Sequence, residues 1–272
     1  MRAEQADHSR CRDLPSCLQQ FLENSMTRSL TCLGLILLLS VSVPGEDEKT
    51  QVDRPVKKTG TEKQTDKPQP QAIAIFDGKT LSGWKATNFG GEAEVSVKDG
   101  AILLPVGNDM TGITWKDASV IPRTGYILEL EAQRVDGSDF FCGLTFPVGK
   151  DPCSLILGGW GGGVCGLSSI NGFDASENET TVYREFENKK WYRVRLQVCN
   201  DRIQVWLDKK NIVDQPRKDR MFSIRLECEL SLPLGFATWR TSGALRKLKL
   251  RRMTAEEQKT AQAEHLEKLK DE

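Results

Sequence analysis

Between residues 72 and 253 the chain is a succession of short runs in which apolar and polar residues alternate, each closed by Gly, Asp, Asn or Pro. Examples are AEVSVKDGAILLPV, TGYILELEAQRV, DFFCGLTF, SLIL, MFSIRLECEL and LRKLKLRR. A period of two sends successive side chains to opposite faces of a strand, so each run reads as a half-buried strand. Turn residues this frequent break the chain into many short antiparallel strands, which excludes a helical bundle or a helix-flanked parallel sheet and leaves a sandwich or barrel. The clearest unit is WYRVRLQVCNDRIQVWLD. Val194, Leu196 and Val198 alternate with Arg193, Arg195 and Gln197; Asn200 and Asp201 turn the chain; Ile203, Val205 and Leu207 then oppose Gln204 and Trp206. One face is core, and the other is polar with an aromatic.

The flanks are different. Residues 254–272, TAEEQKTAQAEHLEKLKDE, read as a helix opened by a capping box of Thr254 and Glu257, with too few apolar residues to be core. Residues 46–71 are charged, carry proline and lack apolar periodicity, as a solvated linker does. Residues 30–43, LTCLGLILLLSVSV, are too short to span a bilayer and fit the apolar region of a secretory signal preceded by Arg28. The expected signal is therefore residues 26–45 with Met26 as initiator, inside a leader of residues 1–45. Export follows, to the periplasm, cell envelope or exterior, with membrane contact only through an uncleaved leader.

Charge and histidine narrow the chemistry. Lys+Arg and Asp+Glu both number 38, which argues against a surface dedicated to nucleic acid or anionic lipid. The two histidines are His8 in the leader and His265 in the tail. Catalysis by Ser-His or Cys-His pairs and histidine-ligated metals are thus excluded from the β domain. Removal of the leader leaves Cys142, Cys153, Cys165, Cys199 and Cys228 without any CxxC spacing, which suits small buried side chains with one bridge among them and at least one thiol free.

Several stretches carry candidate chemistry beside a plain structural reading. GGWGGG, residues 158–163, lacks the Lys-Ser/Thr and following helix of a phosphate loop, so Trp160 is either a core plug or a ligand platform. Trp206 and Trp239 are further stacking candidates for sugar rings. Glu227 and Glu229 in RLECEL would share one face of a strand roughly 6.6 Å apart, compatible with an acid/base pair or with plain solvent exposure. Asp174 and Glu177, in the acidic loop DASENE, offer oxygens of the type calcium prefers, without the spacing of an EF-hand.

IFDGKTLSGW at residues 75–84 resembles the opening of a bacterial family of 3-keto-disaccharide hydrolases, also described as 3-keto-glycoside lyase/hydratases. The likeness continues through VSVKDGAILL, WYRVRLQVCNDRIQVWLDKKNIVD and PLGFATWRTSGALRKLKLRR, about residues 73–253 in all. The resemblance implies a concanavalin/laminin-G-like jelly-roll β-sandwich of two antiparallel sheets over residues 72–253, with the C-terminal helix appended. It also implies action on glycans, with 3-keto-glycosides cleaved by elimination and hydration. The middle of the domain reads SLILGGWGGGVCGLSSINGFDASENETT where active members carry Y-x-x-Q-(I/V)-x-D, so no catalytic residue transfers by motif. If the chain cleaves, the base is expected among Glu227, Glu229, Glu185 and Asp174, with Arg240 or a bound calcium stabilising the enolate oxygen. The alternatives are a glycan-binding module without catalysis, stacking on Trp160, Trp206 and Trp239, and a cell-envelope interaction protein.

Overall fold

The computed structural model describes residues 72–271; the expected leader and linker lie outside the described residues. The strands, in chain order, begin with β1 (Ile73–Ala74), β2 (Trp84–Ala86), β3 (Ser96–Lys98), β4 (Ala101–Leu104) and β5 (Met110–Trp115). Then come β6 (Tyr126–Asp136), β7 (Cys142–Val148), β8 (Asp151–Gly159), β9 (Val164–Ser168) and β10 (Val182–Tyr183). The last are β11 (Trp191–Val198), β12 (Arg202–Leu207), β13 (Lys210–Pro216), β14 (Gly235–Trp239) and β15 (Ser242–Arg252), followed by α1 (Ala255–Asp271).

Two antiparallel sheets pack face to face as a jelly-roll sandwich. The first runs β13-β12-β11-β6-β15-β4-β3, with β1 on β15; the second runs β10-β9-β8-β7-β14-β5-β2. The alternation read from the sequence is what fills the space between them. Leu128 and Leu130 of β6, Val194 and Leu196 of β11, and Val205 and Leu207 of β12 face Leu144, Leu155, Leu167 and Phe236 of the second sheet in one core. The β11–β12 hairpin pairs in the expected register, Val194 with Leu207 and Val198 with Ile203.

One departure from period two is informative. In LRKLKL the core residues Leu245 and Leu248 are three apart, which a regular strand would place on opposite faces. The β6–β15 register shifts between Arg246 and Lys249, and Lys247 takes φ 56°; this bulge returns Leu248 to the core.

The opening motif is structural. Asp77 accepts the backbone N–H groups of Lys79 and Thr80 at 2.8 and 2.7 Å, which folds the DGKT turn. Gly83 at φ 83° lies against the Trp115 ring, where a Cβ would come within 2.4 Å. Trp84 is fully buried; its Nε1–H donates to the Ile75 carbonyl at 2.6 Å and its ring meets Trp115 edge-on at 5.0 Å. The five cysteines from Cys142 onward are all buried and unbridged, so the expected disulfide does not form among the described residues.

The tail helix is docked rather than free. Its buried Ala261 packs with Ile127, Cys199 and Met253 on the outer face of the first sheet. The capping box forms as expected: Thr254 Oγ1 accepts the Glu257 N–H at 3.0 Å, and Glu257 Oε2 accepts the Thr254 N–H at 2.8 Å. Arg251 holds the same carboxylate through both of its terminal nitrogens, at 2.8 and 2.7 Å. These bonds, the Arg251 one foremost, pull the Glu257 pKa from 4.5 down to about 2. A depressed carboxylate pKa contributes stability that is present above the unfolded value of 4.5 and is lost as pH falls toward 2. Glu257→Gln is therefore expected to cost about 1 kcal/mol at pH 7 and to flatten the acid limb of stability below pH 4.5, read by thermal unfolding against pH. An unchanged acid limb would mean that the cap does not hold the helix.

Candidate functional site

The strands of the second sheet alternate as well, but both faces are covered. Inward lie Ile113, Leu144, Leu155, Leu167 and Phe236; the intervening positions, Ser154 and Ile156 of β8, Ser168 of β9 and Trp239 of β14, face outward. Trp239 is paired with Met110 of β5. Over this outer face crosses the segment leading into β14. It was expected as a strand, MFSIRLECEL, but residues Leu226–Ser231 form a 3₁₀ turn instead. The topology explains the difference. Because β14 lies between β7 and β5, both ladder positions beside it are occupied, and the preceding segment must run over the face. Thr114 Oγ1 donates to the Leu230 carbonyl at 2.8 Å and fixes the crossing.

Between this turn and the sheet lies a cavity of about 200 Å³. Met110, Phe140, Ile156 and Cys228 make its apolar walls, while Ser154 and Ser168 add hydroxyls. Trp160 and Trp239 line it, as do Asp139, Arg225 and Glu227. Trp160 is 45 % exposed, and Trp239 is half-buried.

GGWGGG makes the turn from β8 to β9, and it lifts Trp160 to the rim at φ 50°. Close packing requires glycine at position 162 in particular. At Gly162, with φ 112°, a Cβ would meet the Ser138 carbonyl oxygen at 2.8 Å and the Arg134 guanidinium at 2.9 Å. The turn is tied to the β6–β7 loop where the Gly161 N–H donates to Asp139 Oδ2 at 3.3 Å. Asp139 Oδ1 accepts the Phe140 N–H at 2.7 Å.

The charged wall is a chain of three side chains. Arg225 donates to Glu227 Oε1 at 3.1 Å and also pairs with Asp174. Asp174 Oδ1 accepts from Ser168 Oγ at 3.1 Å and Ser169 Oγ at 3.0 Å. The Arg225 hydrogen bond holds the Glu227 carboxyl below the usual glutamate range and in turn raises the Arg225 pKa. Burial pushes the Cys228 thiol up to about 11, so it is a neutral wall and not a nucleophile.

The site residues expected from sequence separate on this geometry. Trp160, Trp239 and Glu227 converge on the cavity. Glu229 does not share its face: a 3₁₀ helix has three residues per turn, so positions two apart diverge, and Glu229 is exposed off the cavity. Trp206 lies in β12 of the other sheet, 5.3 Å below the Arg195 guanidinium, a full sandwich thickness away. Arg240 pairs with Asp109 at 2.6 Å and covers the Trp239 ring at 5.5 Å without lining the cavity. Glu185 lies in a separate groove beside the glycine turn.

Asp174 and Glu177 do not form a cation cage. The Asp174 oxygens are committed to Arg225 and two hydroxyls, and Glu177 is exposed. No group of three or more His, Cys, Asp or Glu side chains suited to a metal occurs among the described residues. The sequence reading did not single out Asp139, Phe140, Ser154 or Ser168 as site residues. They are ordinary residue types, and only the sheet register brings them together.

No curated protein matches the chain. Similar solved structures include a carbohydrate binding module from Bacillus subtilis, 15% identical, covering 62% of this chain and 95% of that one with a TM-score of 0.41. Another is domain 4 of an extracellular arabinanase from Geobacillus stearothermophilus in complex with arabinotriose, at 14%, 62%, 82% and 0.41 by the same measures. A third is a galectin-like-fold protein from Bacillus subtilis, at 12%, 63%, 90% and 0.46. Over residues 71–251, more than half of the 272, the sequence matches the 3-keto-alpha-glucoside-1,2-lyase-like domain, and the chain belongs to that family.

Proposed function

We propose that the protein is an exported carbohydrate-active enzyme whose cavity takes one ring of a 3-keto-glycoside and cleaves its glycosidic bond by elimination and hydration. The observation that carries this reading is the convergence of Trp160, Trp239 and Phe140 with the Arg225–Glu227 pair on one cavity. Aromatic faces suit the C–H faces of a pyranose, and the hydroxyls of Ser154 and Ser168 suit its edge. The ketone at C3 acidifies the C2 proton. Glu227, ionised and lining the cavity, takes that proton; Arg225 holds the enolate oxygen; the electron pair then expels the glycosidic oxygen from C1, which takes the proton back from Glu227 and leaves as the alcohol, and water adds to the resulting C1=C2 double bond.

Binding without turnover is a second reading, favoured by one observation. Arg225 keeps Glu227 below the usual carboxylate range, which makes it a weak base and suits a fixed acceptor for sugar hydroxyls.

Incubation with methyl 3-keto-α-glucoside, followed by loss of substrate and release of methanol, tests cleavage; no turnover at any pH would remove the first reading. Tryptophan fluorescence under titration with the same compound tests binding in either case. Trp160→Ala is expected to weaken it by about tenfold, the loss of one stacking face. An unchanged affinity would assign the ring to rim packing alone.

A further inference from the structure

The charge of the chain is balanced in number but not in place. In the first sheet β11, β6 and β15 lie side by side. Leu128, Leu130, Val194, Leu196, Leu245 and Leu248 fill the core from these strands, so the residues between them point outward, away from the second sheet and its cavity. Directly paired residues of an antiparallel sheet share a face, and the register therefore lays two rows across it. One row is Arg193, Glu131 and Arg246; the other is Arg195, Glu129 and Lys249. The β15 bulge adds Lys247, whose Nζ reaches Glu131 at 2.9 Å. Five cations thus share this face with two carboxylates, an excess of three positive charges. Arg251, further along β15, is already held by Glu257.

The two signs are also layered. The Glu131 side chain is 10 % exposed, whereas that of Arg193, 3.7 Å away, is 79 % exposed. Arg246 Nε donates to Glu131 Oε2 at 2.7 Å, and Lys247 and Lys249 are exposed. The carboxylate is the floor of the patch and the cationic heads are its surface. Two of those heads are held flat against rings: Arg246 lies 4.0 Å over Trp191, and Arg195 lies 5.3 Å over Trp206. Arg193 and Arg246 stand two strands apart, about 9.6 Å, while Arg193 and Arg195 are about 6.6 Å apart along one strand. The result is a fixed grid of cations on a flat sheet.

We propose that this face docks a polyuronate, a linear polymer with one carboxylate on each ring, which the protein holds without cleaving. Repeated carboxylates complement a repeated grid of cations, and the guanidinium fork of Arg193 matches a carboxylate on two bonds. Arg246 and Lys247 already grip one carboxylate, that of Glu131, in this manner. Other polyanions fit less well. None of the exposed large apolar residues among the described residues lies on β6, β11 or β15, so nothing on the face enters a lipid layer. All three are interior strands, so an acidic peptide cannot add to them as a further strand. The Trp191 and Trp206 rings are each covered by an arginine, which leaves unpaired bases without a stacking platform. The inference is independent of the reading of the cavity, which lies on the other sheet.

Calorimetric titration of the full chain with polygalacturonate tests it, with neutral dextran, poly-glutamate, single-stranded DNA and vesicles containing phosphatidylglycerol as the other arms. Polygalacturonate is expected to bind most tightly and dextran not at all. Its affinity should fall at least tenfold as the screening length shortens from about 30 Å at 0.01 M salt to about 8 Å at 0.15 M. Arg193→Gln combined with Lys249→Gln removes two exposed cations from the face and should weaken binding at least tenfold at low salt. Lys85→Gln combined with Lys116→Gln makes the same change of net charge at exposed positions of and beside the second sheet, and it should leave binding unaltered. Thermal unfolding of both double variants at the wild-type temperature excludes a folding defect, since all four side chains are exposed. Absence of polygalacturonate binding at low salt, or equal weakening by the two double variants, overturns the proposal. Tighter binding of poly-glutamate, DNA or vesicles than of polygalacturonate overturns it equally and gives the face to that class of partner.

Discussion

Glu227→Gln is expected to lower turnover of a 3-keto-glucoside by roughly 10²–10⁴-fold, the usual contribution of a positioned base, with binding little changed. Gln keeps the shape and an oxygen for the 3.1 Å bond from Arg225, so the wall stays assembled while the proton acceptor is lost. The exposure of Glu227 makes a folding defect an unexpected outcome. The pH dependence is separately diagnostic. The base acts ionised, and the Arg225 hydrogen bond places its pKa below the ordinary 4.5. Rate should therefore persist on the acid side until below that value. An acid limb near neutrality would assign the proton to another group, and an unaltered rate in Glu227→Gln would remove Glu227 from the role of base. Arg225→Lys separates the two roles of the guanidinium. Lysine restores a charge but not the fork that spans Asp174 and Glu227, so the rate should fall together with the order of that wall.

The fold was legible because its determinants are local. Val194, Leu196 and Val198 announce one buried face without reference to any other part of the chain, and the turn at Asn200 and Asp201 announces the hairpin. The helix cap was legible for the same reason, since Thr254 and Glu257 are three residues apart. RLECEL failed because its alternation is ambiguous: Cys228 faces in, Leu226 and Leu230 remain exposed, and the occupied edges of β14 decide against a strand. The site was legible only in its aromatic and acidic parts. Trp160 drew notice through the glycines around it, yet the contact that requires one of them, Gly162 against Ser138, joins segments far apart in sequence. Trp206 shows the converse limit. An outward tryptophan on a polar strand is equally consistent with a ligand platform and with a ring shielded by a neighbouring arginine, and the choice depends on which sheet carries it.

Trp84→Ala is expected to destabilise the domain by about 3–5 kcal/mol, the range for truncating a large buried aromatic. Trp84 is 1 % exposed, and it fills the core between Trp115 and Phe236, whose ring centres lie 5.0 and 5.6 Å away. Against a total stability on the order of 5–15 kcal/mol, the change removes a large part of the margin. For a domain of this size it corresponds to a fall in Tm of roughly 6–20 °C. Trp84→Phe distinguishes volume from polarity. It keeps most of the ring but leaves the Ile75 carbonyl without its 2.6 Å donor, a buried loss of about 1–3 kcal/mol. The expected order is therefore wild type, then Trp84→Phe, then Trp84→Ala, read by denaturant unfolding. Sugar affinity measured well below the transition should stay at the wild-type level in the Phe variant, because Trp84 faces the core and the cavity lies on the other side of the sheet. A loss below 1 kcal/mol in Trp84→Ala, or a loss of affinity in folded Trp84→Phe, would overturn the assignment of the GW pair to the core.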